Sequence, residues 1–159
     1  MIHRNFLDLK NANKKDSKLL FDWSNDKLAR NNSLSNKKIL INDHNKWFNS
    51  ELLNKNSYIW ICIINNNPCG LIRFKKKNNR YTLSYLISPA YRGNNYSKPM
   101  IQLAINKFKS HKPRVKNIYA QVLTNNNLSI KILKSLGFKF KSISKNGLVH
   151  LLYFALKNK

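Results

Sequence analysis

Apolar positions along the chain change period several times, and each change marks an element. Residues Ile2 to Lys10 carry an alternating set, Ile2, Phe6 with Leu7, and Leu9, which predicts a first strand. Behind Asp16, a candidate N-cap, Leu19, Leu20 and Trp23 recur at helical spacing and predict a helix ending near Ser24-Asn25. Asn31-Asn32-Ser33 breaks that pattern. A polar loop then runs until Asn42 or Asp43 caps a second helix, on which His44, Trp47, Phe48 and Glu51 or Leu52 share a face.

Ser57 to Ile64, SYIWICII, is rich in β-branched and aromatic residues and predicts a strand. Asn65-Asn66-Asn67-Pro68 turns it into a second, Cys69 to Lys76, and Asn78-Asn79 turns again into Arg80 to Ser88, giving an antiparallel meander. At Ser88-Pro89 the pattern stops. A turn carrying Arg92, Gly93, Asn94 and Asn95 leads into a helix from about Ser97, with Pro99 in its first turn and an apolar stripe of Ile101, Ala104, Ile105 and Phe108. A strand that feeds a helix N-terminus presents unpaired N–H groups and the positive end of the helix dipole, an anion site by construction.

Asn117 to Leu123 predicts the next strand, parallel to Arg80–Ser88 because a helix separates them. Asn125-Asn126-Asn127 opens a short helix with Leu128, Ile132 and Leu136, ended by Gly137 in a left-handed C-cap. Phe138 to Ile143 and Leu148 to Leu156 read as a last hairpin through Asn146-Gly147, a type I′ signal.

Length and composition narrow the classes. Residues 1–159 read as a single domain with one core and no repeat. No apolar run reaches the ~20 residues needed to span a bilayer. Met1-Ile2-His3-Arg4-Asn5 turns polar before a signal-peptide core could form, so a cytoplasmic location without membrane partners is expected. Cys62 and Cys69 lack zinc-ligand spacing and are expected as buried thiols, with no metal site.

The net charge is +24, from 30 Lys plus Arg against 6 Asp plus Glu. Such a field attracts CoA, a nucleotide-sugar or nucleic acid alike. The cations are dispersed, in pairs and triplets such as Lys14-Lys15, Lys37-Lys38 and Lys75-Lys76-Lys77, which disfavours a nucleic-acid reading head.

The element order, the basic turn Arg92-Gly93-Asn94-Asn95-Tyr96-Ser97, and the pair Asn126-Asn127-Leu128-Ser129 with Gly137-Phe138 resemble the GNAT family of acetyl-CoA-dependent N-acetyltransferases. The resemblance implies an α+β fold, a mixed, mostly antiparallel sheet of about seven strands splayed between strands 4 and 5, flanked by about four helices. It implies acetyl-CoA as cofactor, held by Leu86, Ile87 and Ser88 along the pantetheine, by Arg92, Gly93, Asn94, Asn95, Tyr96 and Ser97 at the pyrophosphate, and by Asn126 and Ser129. Asn95 and Ser97 stand at the family's glycine positions, and Asn is the residue after glycine that best accepts a left-handed backbone. Leu133 stands where the family often has a tyrosine acid, and the strand Arg80–Ser88 lacks the family's usual glutamate base.

Phe21-Asp22-Trp23-Ser24-Asn25-Asp26 with Arg30, and His44-Asn45-Lys46-Trp47-Phe48, are similar to signatures of family members that acetylate nucleotide-linked amino sugars, of the pseudaminic acid pathway type. The ribosomal-protein N-acetyltransferases share part of the pattern. The resemblance therefore implies transfer of acetyl to a primary amine, first on a nucleotide-linked amino-deoxy sugar. The alternatives are a protein N-terminus, a small amine, or a silent GNAT-like module that binds a polyanion such as RNA. Trp23, Asn25, Arg30, Trp47 and Phe48 are the expected acceptor-site residues, His44 and Asp26 the candidate catalytic bases, and a homodimer is compatible with the family.

Overall fold

The computed structural model describes residues 7–156. Seven strands form one sheet, ordered β1-β2-β3-β4-β5-β7-β6. They are β1 (Leu7–Asn11), β2 (Ser57–Ile64), β3 (Asn67–Lys77), β4 (Arg80–Ile87), β5 (Asn117–Leu123), β6 (Lys139–Ile143) and β7 (Val149–Ala155). Every neighbouring pair is antiparallel except β4 and β5, the parallel pair the intervening helix requires. Ile2 and Phe6, assigned above to the first strand, lie outside the described residues.

The helices are α1 (Ser17–Asn25), α2 (Lys27–Asn31), α3 (Ile41–Leu53), α4 (Ser97–His111) and α5 (Asn127–Ser135). Four match expectation and α2 is additional. Asp16 is the N-cap residue of α1, as expected, but its side chain makes no cap bond there: it closes a single 3-10 turn, Lys14–Asp16, accepting from the Asn13 N–H at 2.8 Å while Lys10 pairs with it at 2.8 Å. The second expected cap is corrected. The N-cap of α3 is Leu40 and makes no side-chain cap bond, so neither Asn42 nor Asp43 caps it.

Asparagine chemistry sets the meander. Asn65 and Asn66 have φ of 47° and 67°, and Asn78 and Asn79 of 47° and 61°, so each pair closes a two-residue turn of the primed kind that matches strand twist. The first turn is shorter than expected, and β3 starts at Asn67. At the last hairpin Asn146 stays out of the left-handed region and only Gly147 enters it, with its N–H on the Ser144 carbonyl at 2.9 Å, so the connection is longer than a type I′ turn. Gly137 ends α5 as expected: at φ 99° its N–H reaches the Lys134 carbonyl and the Phe138 N–H reaches that of Leu133.

Strand alternation divides the core between the two faces. One face packs Phe74, Tyr81, Leu83, Ile118, Ala120 and Leu152 against Met100, Ile101, Ala104 and Phe108 of α4. The other packs Ile59 and Ile61 against Leu20 and Trp23 of α1 and Phe48 of α3. Cys62 and Cys69 are free and buried, as expected.

The feature that positions the site is where the sheet opens. β4 and β5 are in register only over Tyr81–Leu83 with Ile118–Ala120. Beyond Leu83 the two strands part, and Ser84–Ile87 keep β3 as their one strand neighbour.

Candidate active site

A cleft of about 900 Å³ occupies this opening. The end of β4, the turn before α4 and the start of α5 line it, together with Trp47 of α3, Arg73 of β3 and Arg30 of α2. No group of three or more His, Cys, Asp or Glu among the described residues could hold a metal ion.

The turn is built for an anion. Gly93 has φ 78° and Asn95 φ 61°, so both positions adopt the left-handed backbone, Asn95 where the family pattern has glycine. Asn94 props the turn by donating to the Tyr91 and Arg92 carbonyls at 3.3 and 3.0 Å. Tyr96 packs its ring 6.1 Å from that of Tyr91 and makes no cap bond to α4, whose first N–H groups have no partner inside the helix. A side chain at Gly93 would meet open space, so this backbone is accessible to a bulky ligand. These features, with the strand edge freed beyond Leu83, fit a cofactor with a pyrophosphate at one end and an extended amide arm.

Two residues of this region have partners within the protein. The Arg92 guanidinium pairs with Asp26 at 2.6 Å through Nη2 and donates from Nε to the Ile87 carbonyl at 3.3 Å, tying α2 to the end of β4. Ser88 is 2% exposed and its N–H is used by the Cys69 carbonyl at 2.9 Å, leaving Leu86 and Ile87 as the strand residues at the gap. Asn126 caps α5, its Oδ1 accepting from the Ser129 N–H at 3.2 Å. The amide nitrogen of Asn126 has no such task.

On the acceptor side several expectations change. Trp23 and Phe48 are core residues, 7% and 0% exposed, and face the sheet rather than the cleft. Asn25 brackets Ile39, donating to its carbonyl at 2.9 Å and accepting from its N–H at 2.8 Å. Arg30 donates to the Ser35 carbonyl at 3.2 Å and the Ser33 hydroxyl at 2.9 Å, and also bonds the Ser24 carbonyl. Asn25 and Arg30 therefore fix the loop after α2. Trp47 alone of the expected aromatic residues lines the cleft.

Of the two candidate bases His44 borders the cleft, and both are engaged within the protein. Asp26 is held below the usual carboxylate range by its Arg92 hydrogen bond, against the opposing effect of burial, and it also caps α2 through the Ala29 N–H at 3.1 Å. His44 is 1% exposed, ringed by Phe21, Trp47 and Phe48 at 5.4, 5.6 and 5.8 Å, and donates Nε2–H to the Ser17 carbonyl at 2.9 Å. Burial holds its pKa below the ordinary 6.5.

A stability prediction follows from His44. Above pH 6.5 the imidazole is neutral folded and unfolded alike. As pH falls below 6.5 the unfolded chain takes up a proton that the folded chain refuses until its lower value is passed, so stability is lost over that window. Melting curves from pH 7.5 to 5 should show Tm falling, and His44→Gln should flatten the fall.

Two residues in the cleft were not anticipated. Tyr85 of β4 reaches across the gap to the Ser129 hydroxyl at 2.9 Å, and burial raises its phenol pKa. Arg73 of β3 lies over the Trp47 ring at 5.3 Å and its side chain, among the described residues, makes no hydrogen bond or salt bridge; burial lowers its pKa, against the opposing pull of Glu51, without removing its charge. Strand alternation placed both on defined faces, but only the position of the opening shows that they meet a cavity.

A strand parted from its parallel neighbour beside an anion-binding helix start is the architecture of a CoA-dependent acyltransferase. Residues 7–139 match the acetyltransferase (GNAT) domain family, and the chain belongs to that family. Its cofactor is acetyl-CoA. Among solved structures it is similar to a domain from Methanocaldococcus jannaschii DSM 2661, at 21% identity and TM-score 0.82, over 96% of this chain and 99% of that one. Spermidine N-acetyltransferase from Vibrio cholerae, solved with CoA and spermine, gives 15% identity and TM-score 0.82 over 94% and 95%. RimL, the ribosomal L7/L12 alpha-N-protein acetyltransferase solved with CoA, gives 12% identity and TM-score 0.81 over 100% and 98%. At these identities the likeness is one of fold. No curated protein sequence matches the chain. No helix among the described residues is long and apolar enough to cross a membrane.

Proposed function

We propose that the protein acetylates a primary amine on an anionic acceptor, in the first place the amino group of a nucleotide-linked amino-deoxy sugar. The observation that carries this reading is Arg73, a cleft-lining guanidinium over the Trp47 ring whose side chain forms no salt bridge among the described residues. Arg92 and Lys75 form salt bridges with Asp26 and Glu51, while Arg73 feels Glu51 only at longer range and keeps its hydrogen-bond donors for a ligand. Arg73, with Lys75 and Lys77 beside it and Asp43 as the one carboxylate of the lining, favours a phosphate or carboxylate on the acceptor over a polyamine.

Acetyl-CoA supplies the activated acetyl group. The backbone of Gly93 to Ser97 holds its pyrophosphate, the freed edge of Leu86 and Ile87 aligns its amide arm, and the Asn126 amide nitrogen donates to that arm. Asp26 and Arg92 position the strand end through their ion pair, and His44 locks α3 to α1. An amine on a sugar needs only a water to take its proton, and Tyr85 holds a proton at its phenol oxygen where the leaving sulfur needs one.

Release of free thiol, measured with acetyl-CoA across UDP-linked amino sugars, N-terminal peptides and spermidine, tests the reading. Turnover on the UDP-linked sugars is expected, and turnover confined to spermidine or neutral peptides would overturn it. Arg73→Ala should raise KM for the anionic acceptor about 10- to 100-fold with kcat little changed, and Arg73→Lys should recover part of the loss.

A further inference from the structure

All six Asp and Glu side chains of the protein lie between Asp8 and Glu51, so no carboxylate side chain follows Glu51. The half of the sheet built from β4, β5, β7 and β6 is therefore basic without internal compensation. One of its faces packs against α4 and α5 through Ile118, Ala120, Val122 and Leu152. The opposite face carries two tyrosines and a set of cations.

Cross-strand register places these side chains in one row. Thr82 of β4 is opposite Tyr119 of β5, Tyr119 is opposite Tyr153 of β7, and Tyr153 is opposite Lys139 of β6. Opposed residues share a face, so the row crosses the uncovered surface. The Arg80 guanidinium lies 5.3 Å from the Tyr119 ring centre, and Lys141 Nζ lies 5.3 Å from Tyr119 and 5.9 Å from Tyr153. Among the described residues the side chains of Arg80, Lys139 and Lys141 form no hydrogen bond or ion pair. A solvated background would spread its cations outward; here Arg80 and Lys141 rest on aromatic rings and keep their side-chain donors unused.

The row is continuous with the cleft, which Lys77, Thr82 and Gln121 also line. From Leu86, beside the acyl-transfer point, to Thr82 is four residues of strand, about 13 Å. A sugar whose amine sits at Leu86 would carry its next groups along β4 towards Lys77 and Arg80.

We propose that this row is the subsite for the nucleoside diphosphate of the acceptor, with Lys77, Arg80 and Lys141 holding the two phosphates and Tyr119 with Tyr153 receiving the base. The proposal rests on the acceptor reading given under Proposed function and assigns residues that reading did not use. Phosphates displace the cations from the rings, and the freed tyrosine faces offer a sequence-tolerant stacking surface. Two adjacent rings accommodate one base, which suits a mononucleotide better than a polymer.

Calorimetric titration of the full chain with UDP alone, without acetyl-CoA, tests the subsite separately from turnover. Arg80→Ala with Lys141→Ala should weaken UDP binding roughly tenfold or more. Lys14→Ala with Lys15→Ala, which removes the same charge elsewhere, should change it by less than about twofold. Tyr119→Leu, which keeps an apolar side chain, should weaken UDP and leave acetyl-CoA binding unchanged. Equal weakening by both lysine and arginine pairs, or UDP affinity indifferent to Arg80 and Lys141, overturns the proposal; a single-stranded oligonucleotide that binds far more tightly than UDP and is lost in the same variants overturns it in favour of a polymer. If UDP binds and is lost as expected but no nucleotide-linked amino sugar is acetylated, the acceptor reading fails and the subsite stands. If such a sugar is acetylated with KM unchanged in the variants, the subsite fails and the acceptor reading stands.

Discussion

Tyr85→Phe should lower kcat by roughly 100-fold or more while leaving KM for acetyl-CoA within about twofold. The family pattern puts a tyrosine at the position of Leu133, which here is 1% exposed and carries no proton to give. Ser129 precedes Leu133 by one helical turn on the same face of α5. Tyr85 meets Ser129 from the opposite wall, with 2.9 Å between the hydroxyl oxygens, so a phenol enters the same corner of the cleft from β4 instead of α5. Burial raises its pKa, which keeps the proton on the oxygen until a base forms beside it. Ser129→Ala should cost less, since it loosens the phenol without removing it. Tyr85→Phe turnover within twofold of the parent, measured by thiol release at saturating substrates, would return the proton transfer to water.

The sequence carried much of this architecture. Asn-Asn pairs at 65–66 and 78–79 specify tight turns because asparagine tolerates the left-handed backbone; the β3–β4 register runs unbroken from the second, while β2–β3 shifts register once, between Cys62 and Ile63. A helix between β4 and β5 forces them parallel, and the short parallel register that follows opens the sheet. Asn95 kept the left-handed conformation of the glycine it stands for.

Side-chain partnerships distant in sequence were not legible. Asp26 and Arg92 meet across 66 positions, which converts a candidate base and a candidate phosphate ligand into one structural ion pair. Helix α2 has five residues, too few for a periodic signal, and depends on the Asp26 cap and on Arg30 bonding the loop beyond it. Trp23 and Phe48 read equally well as core or as acceptor site, because helical spacing gives the face and not what covers it. Arg73 and Tyr85 were hidden for the related reason that alternation does not show where a sheet opens.

Phe108→Ala should remove about 3–5 kcal/mol of stability, lowering Tm by roughly 6–20 °C in calorimetry or circular dichroism. Phe108 is fully buried and stacked on Phe74 at 4.3 Å with the ring planes 11° apart. Tyr81 meets it edge-on at 4.9 Å and Tyr58 at 5.8 Å. Those three neighbours sit on β3, β4 and β2, each hydrogen-bonded into the sheet, so the surroundings cannot collapse into the space a truncation leaves. The cost should therefore lie near the upper end, and Phe108→Leu, which refills most of the volume, should cost about 1–1.5 kcal/mol. Phe108 lies three turns from Ser97, about 16 Å along α4. Acetyl-CoA affinity measured well below the transition should consequently be retained, separating the helix's packing on the sheet from the anion site at its start. A Phe108→Ala variant that melts within 2 °C of the parent, or that loses acetyl-CoA binding while still folded, would show that α4 is docked and the turn is shaped by something other than this aromatic cluster.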